Sequence, residues 1–454
     1  MRVPVAFFGG FGGGFLEKDE ALKALKEAYP EVEFKPYDVR TVQDAKSLLA
    51  EEDKAAGMLA FNARAMSEGP INTLLRSGKP ILFISQTMEG SPNYLMDVVK
   101  ARKDGYPVLG IAAQDPLAKD VLEKVRYLVA LQKIKESKVL LVTVSELTAY
   151  MTWAFPNSTE VSRAVSNFQQ KLGVPIEFMD LRKFISDYYD RVDASEAESW
   201  ARKWIDGASQ MLEPSRDDVV KAAKLYLAML RAARERNANV MAFDCIMNFT
   251  SKLIDAWPCL GYMQLWYDGI IPVCEADVYS FLPLLIGHYL FGRNGFVNDP
   301  GVDEVKGKFV YWHCYAPTNP HNSPKPEVPY IITDAHGGSK HASVHVKLPV
   351  NETVTVLAYN PLASELSLHQ ARATENIFWK QLCATKLVAE GNAKKVASNW
   401  SAGSGYHRVL LYGDLREEIR DFSVLLGVKL LEEDRGELRV TKTPKPSLLP
   451  SHAL

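Results

Sequence analysis

Short continuous runs of apolar residues alternate with amphipathic stretches over the first 135 residues of the chain. A stretch with helical spacing, from Glu17 to Tyr29, follows the first run. Buried parallel strands carry continuous apolar runs, and strands that alternate with helices form a sheet covered on both faces. The pattern therefore predicts a doubly wound α/β domain over residues 1–136, with strands in VPVAFFGG, VEFKPYDV, GMLAFNA, KPILFISQ and YPVLGIAA.

The same alternation continues with wider spacing from Lys138 onwards. The charged stretch from Arg216 to Arg236 predicts a long helix, and a further helix is predicted from about Asp277 to Leu290. The apolar runs between the helical stretches predict a second doubly wound α/β domain over residues 137–298, with strands in KVLLVTVSE, VPIEFMDL, NVMAFDCI and IIPVCEAD.

The pattern changes after Asn298. Strand-like runs are separated by turns rich in proline and glycine, and a single clear helix is predicted from Leu415 to Leu426. Residues 299–454 are therefore predicted to form a mostly β C-terminal domain, with strands in FVYWHCYA, YIITDA, ASVHVKL, VTVLAY and HRVLLYG.

The composition narrows the class of protein. The 454 residues are 47% hydrophobic and 24% charged, which is typical of a soluble globular protein, and the net charge is −2. A near-neutral chain without a run of roughly 20 apolar residues predicts neither a nucleic-acid nor a membrane partner. The five cysteines are dispersed without a CxxC pair, and the N-terminus lacks a signal-peptide pattern. We therefore expect a cytoplasmic protein.

A glycine-rich segment at residues 9–14 follows the first predicted strand, where a dinucleotide-binding loop would lie. Its spacing departs from that motif, because Phe15 stands where the third glycine belongs. Backbone N–H groups here suit contact with an anion or a polar substrate better than a nucleotide. A simple small-residue connection remains the structural alternative.

Acidic residues flank a predicted strand–helix–strand unit between Cys274 and Asp299. Glu275 and Asp277 lie where strand gives way to helix, and Asp299 follows the helix and its turn. Because such a unit returns beside its starting strand, we expect Glu275 and Asp299 to converge at the carboxyl edge of the sheet. Two carboxylates that lie close together repel each other, and a bound divalent cation or a shared proton relieves this repulsion. Asp277 could instead cap the helix.

This segment resembles the L-fucose isomerase family, including its L-arabinose isomerase-like members. The match rests on an E-x-D…G-H…D pattern made by Glu275, Asp277, Gly287, His288 and Asp299. The later segment SNWSAGSGYHRVLLYG is similar to the family's N-W…H…T-Y-G segment, and a glycine-rich β segment lies between the two. The N-terminal domains share only the α/β layout with the family.

The resemblance implies a metal-dependent aldose–ketose isomerase. Glu275, Asp299 and His407 would bind a divalent cation, most suitably Mn²⁺. Glu275 and Asp299 would also be the catalytic acid and base, moving protons through a cis-enediol(ate) between an open-chain aldose and its 2-ketose. The family further implies a homo-oligomer in which a neighbouring subunit completes each site.

Substrate contacts are predicted for Trp400, Tyr406, His313, His336 and Arg64. Tyr406 stands where the family's fucose isomerases carry asparagine, so the substrate is left open between a fucose-like sugar, a pentose and a C6-modified hexose. A charged group at C6 would be read by Arg64, by Arg293 or by the glycine-rich segment.

Two other readings of the sequence compete with the isomerase. A non-enzymatic, two-lobed sugar-binding protein would bind sugar without any metal dependence. A nicotinamide-dependent oxidoreductase would need the dinucleotide loop that residues 9–14 only partly match.

Overall fold

The computed structural model describes residues 1–8, 16–63, 68–144, 158–334, 341–379 and 382–436. The glycine-rich segment and the predicted substrate contacts Arg64 and His336 lie outside these ranges. Within them, the protein is a mixed α/β structure with two parallel sheets followed by a closed antiparallel β-barrel region. No helix in the described ranges has the length and apolar character needed to cross a membrane.

The first parallel sheet has five strands in the order β2-β1-β3-β4-β5. Alternate residues of β1 point into two separate apolar cores, with Val5 and Phe7 in one and Ala6 and Phe8 in the other. Both faces of this sheet are therefore buried, as its continuous apolar runs predict. Its strands are β1 (Arg2–Phe8), β2 (Glu33–Val39), β3 (Met58–Asn62), β4 (Ile81–Gln86) and β5 (Val108–Ala113). Its helices are α1 (Lys18–Ala28), α2 (Val42–Glu51), α3 (Glu68–Leu75), α4 (Ser91–Asn93), α5 (Val99–Lys103), α6 (Lys119–Leu122) and α7 (Arg126–Glu136).

The second parallel sheet has four strands in the order β10-β9-β6-β7. Its strands are β6 (Val139–Thr143), β7 (Ile176–Asp180), β9 (Val240–Phe243) and β10 (Ile271–Val273). The short strand β8 (Gln210–Met211) belongs elsewhere and pairs with a strand of the C-terminal region. The helices of this part are α8 (Ser158–Leu172), α9 (Leu181–Asp187), α10 (Ala194–Gly207), α11 (Arg216–Glu235), α12 (Cys245–Ser251), α13 (Cys259–Leu265) and α14 (Phe281–Phe291).

The C-terminal region closes into a barrel because its first and sixth strands pair with each other. The strand order is β15-β18-β11-β12-β17-β16, and a β15–β16 pairing joins the ends. These strands are β11 (Phe296–Asp303), β12 (Lys308–His313), β15 (Thr353–Asn360), β16 (Glu365–Asn376), β17 (Thr385–Glu390) and β18 (Arg408–Tyr412). The remaining elements are β13 (Tyr330–Asp334) and β14 (Ala342–Val346) beside β8, α15 (Ala393–Asn399), α16 (Arg416–Leu426), and β19 (Lys429–Glu432) along β16.

The predicted return of the chain beside its starting strand is wrong. After α14 the chain does not rejoin the second parallel sheet, whose edge strand is β10. It enters β11, which pairs antiparallel with β12 and β18 in the barrel. Asp299 therefore reaches the carboxyl edge of the second sheet from the barrel, not from a neighbouring parallel strand.

Candidate metal centre

A tight turn at the end of β10 supplies the first acidic group of the site. Glu275 and Ala276 both adopt left-handed backbone conformations, with φ of 54° and 51°. Residues other than glycine reach this region at a cost on the order of 1–3 kcal/mol, so the surrounding contacts must hold the turn. One of these contacts joins it to the barrel, because the Tyr359 N–H of β15 donates to the Tyr279 carbonyl over 3.1 Å.

Three neighbouring barrel strands supply the opposite side of the site. Strand β11 lies between β12 and β18, with Asp299 opposite Trp312 and Asn298 opposite Arg408. His313 ends β12 and His407 immediately precedes β18. The register of the sheet therefore brings Asp299, His313 and His407 to one end of the barrel.

These side chains converge with Glu275 at short distances. His407 Nε2 lies 3.3 Å from Asp299 Oδ1 and 3.5 Å from Glu275 Oε2. His313 Nε2 lies 3.5 Å from Glu275 Oε1 and 3.4 Å from His407 Nε2. Donor atoms of Glu275, His313 and His407 all fall within 4.8 Å of one another, so the three residues form a candidate metal-binding triad.

A buried carboxylate lies behind His407. Asp277 Oδ2 is 3.4 Å from His407 Nδ1, and the same carboxyl group accepts from the Tyr279 N–H and, over 2.5 Å, from the Ser280 hydroxyl. The predicted alternative that Asp277 caps the helix is wrong, because α14 begins only at Phe281 with Ser280 preceding it. With Nδ1 facing a carboxylate, Nε2 is the nitrogen left to face the cluster.

The surrounding charges determine how the site titrates. Burial lowers the pKa of His407, but hydrogen bonds with Asp277 and Asp299 and the charge of Glu275 outweigh it and raise that pKa well above its ordinary value. The cluster therefore favours a positive charge at its centre. A divalent cation bound by carboxylate oxygens and imidazole nitrogens meets the same demand. The donor set thus fits a hard or borderline divalent cation.

Exposure differs sharply within the cluster. His313 and His407 are 0% and 1% exposed, whereas Glu275 and Asp299 are 12% and 19% exposed. The imidazoles thus lie on the inner side of the site and the carboxylates face the open side. A substrate that approaches the cluster meets the two carboxylates first.

A further carboxyl group lies near the cluster at the end of β9. Asp244 precedes α12 and accepts from the Thr143 hydroxyl over 2.9 Å and from the Met247 N–H over 3.0 Å. Burial raises the pKa of Asp244 to about 6, and the nearby charge of Glu275 adds to the effect. The local charge of the site therefore depends on a residue that the sequence patterns did not single out.

The predicted substrate contacts have different environments. Tyr406 is 38% exposed and donates to the Pro300 carbonyl over 3.2 Å, and burial together with the charge of Asp299 raises its pKa. Trp400 is half-buried, with the Arg408 guanidinium 3.5 Å from the centre of its ring. His313 lies inside the acidic cluster itself. Arg293 uses its guanidinium to donate to carbonyls at the end of α14 and of β18, which is a structural role.

The register of one hairpin accounts for the position of His313 in the cluster. Strands β11 and β12 form a hairpin around a turn that ends in Gly307, and Asp303 pairs with Lys308. A hairpin of this length returns its second strand past Asp299, so the residue at its far end comes beside that carboxylate. The run FVYWHCYA is predicted as a strand, but local patterns leave its pairing partner undefined.

Comparison with known proteins supports a sugar enzyme. The chain is 23% identical over 347 residues to sulfoquinovose isomerase from Priestia aryabhattai and, to the same extent, to that from Priestia megaterium. Each alignment covers 71% of this chain and 70% of the relative. No family model matches the chain. The similarity supports a sugar isomerase and indicates an enzyme of the aldose–ketose isomerase type, as the sequence predicts. Neither match favours a sugar-binding protein or a nicotinamide-dependent oxidoreductase.

Proposed function

We propose that the protein is a metal-dependent aldose–ketose isomerase whose metal donors are Glu275, Asp299, His313 and His407. The observation that carries this proposal is the convergence of two partly open carboxylates and two buried imidazoles at one end of the barrel. Mn²⁺ suits this mixed donor set. The proposal adds His313 to the three donors that the family resemblance implies.

The bound cation would supply Lewis acidity toward the carbonyl and the adjacent hydroxyl of an open-chain sugar. Glu275 and Asp299 face the open side, where they would accept the proton from C2, return one to C1 and pass the O2 hydroxyl proton to O1. His313 and His407 are buried and form the inner wall of the site. Asp277 holds the Nδ1 side of His407, so that its Nε2 stays directed at the cluster.

The relatives point to a hexose with a charged group at C6, since both are named for sulfoquinovose. A fucose-like sugar and a pentose are the other candidates. Trp400 and Tyr406 are the proposed sugar contacts within the described part of the chain, with Arg64 and His336 as further candidates outside it. We also propose a homo-oligomer in which a neighbouring subunit completes the site.

The proposal is tested by removing metal with EDTA and assaying aldoses, neutral and charged at C6, with and without added Mn²⁺. Sulfoquinovose, L-fucose and L-arabinose represent the three substrate classes. We expect ketose formation from one class to require the metal and to be lost in Glu275→Gln and His407→Ala. Sugar binding that persists without metal and without turnover would overturn the proposal.

A further inference from the structure

A buried chain of polar side chains runs beneath the metal centre and ends at both of its histidine-bearing segments. Its members are Tyr311, His369, Glu433 and Arg408, and each is fully buried. Such groups are costly to bury without hydrogen-bond partners, so their mutual hydrogen bonds fix the positions of the segments that they join.

One branch leads from Glu433 to His407. Arg408 Nη2 donates to Glu433 Oε1 over 2.9 Å, while its Nη1 donates to the carbonyls of Gly405 and His407 over 3.0 and 3.1 Å. The Ser401 N–H also donates to Glu433 Oε1, over 2.9 Å. The backbone on either side of Tyr406 is therefore tied to one carboxylate.

The other branch leads from Glu433 to the strand that carries His313. His369 Nδ1 donates to Glu433 Oε2 over 2.9 Å, because an ionised carboxylate only accepts. Its Nε2 lies 3.0 Å from the hydroxyl of Tyr311, two residues before His313 on β12. The buried Nδ1 of His313 has no hydrogen-bond partner within the described residues. The position of its ring therefore depends on the strand.

We infer that Glu433 is a positioning residue for the metal centre, because a single buried carboxylate braces the segments that carry both His313 and His407. This inference rests on the proposed metal site. Glu433 contacts neither His313 nor His407. It acts through Arg408 on one side and through His369 and Tyr311 on the other. Because Glu433 acts through other residues, loss of its charge is expected to weaken Mn²⁺ binding by about tenfold, the lower end of the range for outer partners at metal sites.

Glu432, the residue before Glu433 in the sequence, provides a matched control. Glu432 is also paired with arginines, at 2.5 Å from Arg416 and 2.7 Å from Arg420. Those pairs tie β19 to α16, and no hydrogen bond described for Glu432 leads to either histidine segment. Glu432→Gln therefore removes the same charge from the same stretch of chain without releasing the brace.

The test measures Mn²⁺ binding to the metal-free full-length protein by titration calorimetry, with circular dichroism as the check on folding. Glu433→Gln should weaken binding about tenfold, while Glu432→Gln leaves it unchanged. His369→Gln breaks only the branch to β12 and leaves the ion pair intact. It should weaken binding in the wild-type background but not further in a His313→Gln background, because its effect passes through His313.

Each outcome decides a different question. Unchanged Mn²⁺ affinity in folded Glu433→Gln and His369→Gln would overturn the positioning role. Equal losses from His369→Gln in both backgrounds would also overturn it, because a general loss of structure does not depend on His313. If Glu433→Gln fails to fold, the comparison of His369→Gln in the wild-type and His313→Gln backgrounds still tests the positioning role. A wild-type protein that binds no Mn²⁺ would instead overturn the proposed function on which the inference rests.

Discussion

The two sides of the proposed metal centre are built in different ways. The side from the parallel sheet is a short turn in which two consecutive residues, Glu275 and Ala276, have left-handed backbones. The side from the barrel consists of strand positions whose register is defined by several pairings, with a buried polar chain beneath them. A locally strained turn thus carries the carboxylate that faces the open side, whereas long-range strand pairing positions the buried imidazoles. The proposed acid–base groups, Glu275 and Asp299, lie on opposite sides, and different parts of the structure support them.

The largest effect is expected from substitutions that remove the charge of the carboxylate on either side of the site. Glu275→Gln and Asp299→Asn should each lower kcat/KM for the sugar that is turned over by about 10²- to 10⁴-fold, because each group is a proposed acid–base and a metal donor. Steady-state assays with saturating Mn²⁺ measure this. The exposed Glu304→Gln serves as the control. Near-normal turnover in either carboxylate variant would exclude that side from the chemistry.

The pH dependence of folding stability tests how much Glu433 stabilises the barrel side of the site. Burial raises the pKa of Glu433, but the Arg408 charge and the His369 hydrogen bond outweigh it and lower that pKa from 4.5 to about 2. Because the folded pKa lies below the unfolded one, the ionised carboxylate stabilises the fold above pH 4.5, and this contribution is lost as the pH falls toward 2. It amounts to about 3 kcal/mol at most.

Urea unfolding of the metal-free protein between pH 7 and pH 3 measures this contribution. Glu433→Gln should be less stable at pH 7 and should lose less stability than the wild type on acidification. If the free energy of unfolding falls equally in the two proteins between pH 7 and pH 3, other carboxyl groups dominate the loss of stability in acid.

His313 is assigned both as a proposed metal donor and as a predicted substrate contact, and one variant distinguishes the two roles. As a metal donor, His313→Gln should weaken Mn²⁺ binding by at least the roughly 10- to 100-fold that loss of an outer partner costs. As a substrate contact, it should raise KM and leave the Mn²⁺ dissociation constant unchanged. Calorimetric Mn²⁺ titration beside sugar kinetics distinguishes them. His345, which is buried and donates to the Ala384 carbonyl outside the cluster, provides the control as His345→Gln.

Most parallel strands were predictable because their apolar runs are continuous, whereas β2 carries charged residues and is mostly not buried. Strands β1 to β5 begin and end within a few residues of the predicted runs. Strands β16 and β17 were missed. In β16 the exposed positions carry charged residues such as Arg372 and Glu375 beside small ones, and this pattern lacks the clear apolar signal of a buried strand. Bounds within single elements thus followed from local patterns.

The site was only partly predictable for a related reason. The proximity of Glu275 to Asp299 was expected, but from a parallel return that does not occur. The actual route depends on which barrel strands pair, and pairing between distant segments leaves no periodic signal in one sequence. His407 was selected by family resemblance, and His313 entered the cluster only when the β11–β12 register was known.

A smaller effect is expected where the turn side touches the barrel side. Asp277→Asn should weaken Mn²⁺ binding by about tenfold, because the neutral amide no longer supports His407 through Nδ1. The same calorimetric titration measures it. Asp217→Asn changes an exposed acid of the same type that is paired with Lys221 away from the cluster, and should have no effect. An Asp277→Asn protein with wild-type affinity would mean that the strand alone orients the imidazole.

The smallest effect concerns the strain in the turn itself. Ala276 is buried with φ of 51°, a conformation that glycine adopts without steric cost. Ala276→Gly should therefore stabilise the fold by about 0.5–1 kcal/mol, after allowance for the greater freedom of glycine in the unfolded chain. Thermal unfolding of the metal-free protein measures this. Ala393→Gly, at the start of α15, should instead destabilise. If Ala276→Gly also lowers turnover while Mn²⁺ affinity is unchanged, the strained turn contributes to the placement of Glu275 as well as to the fold.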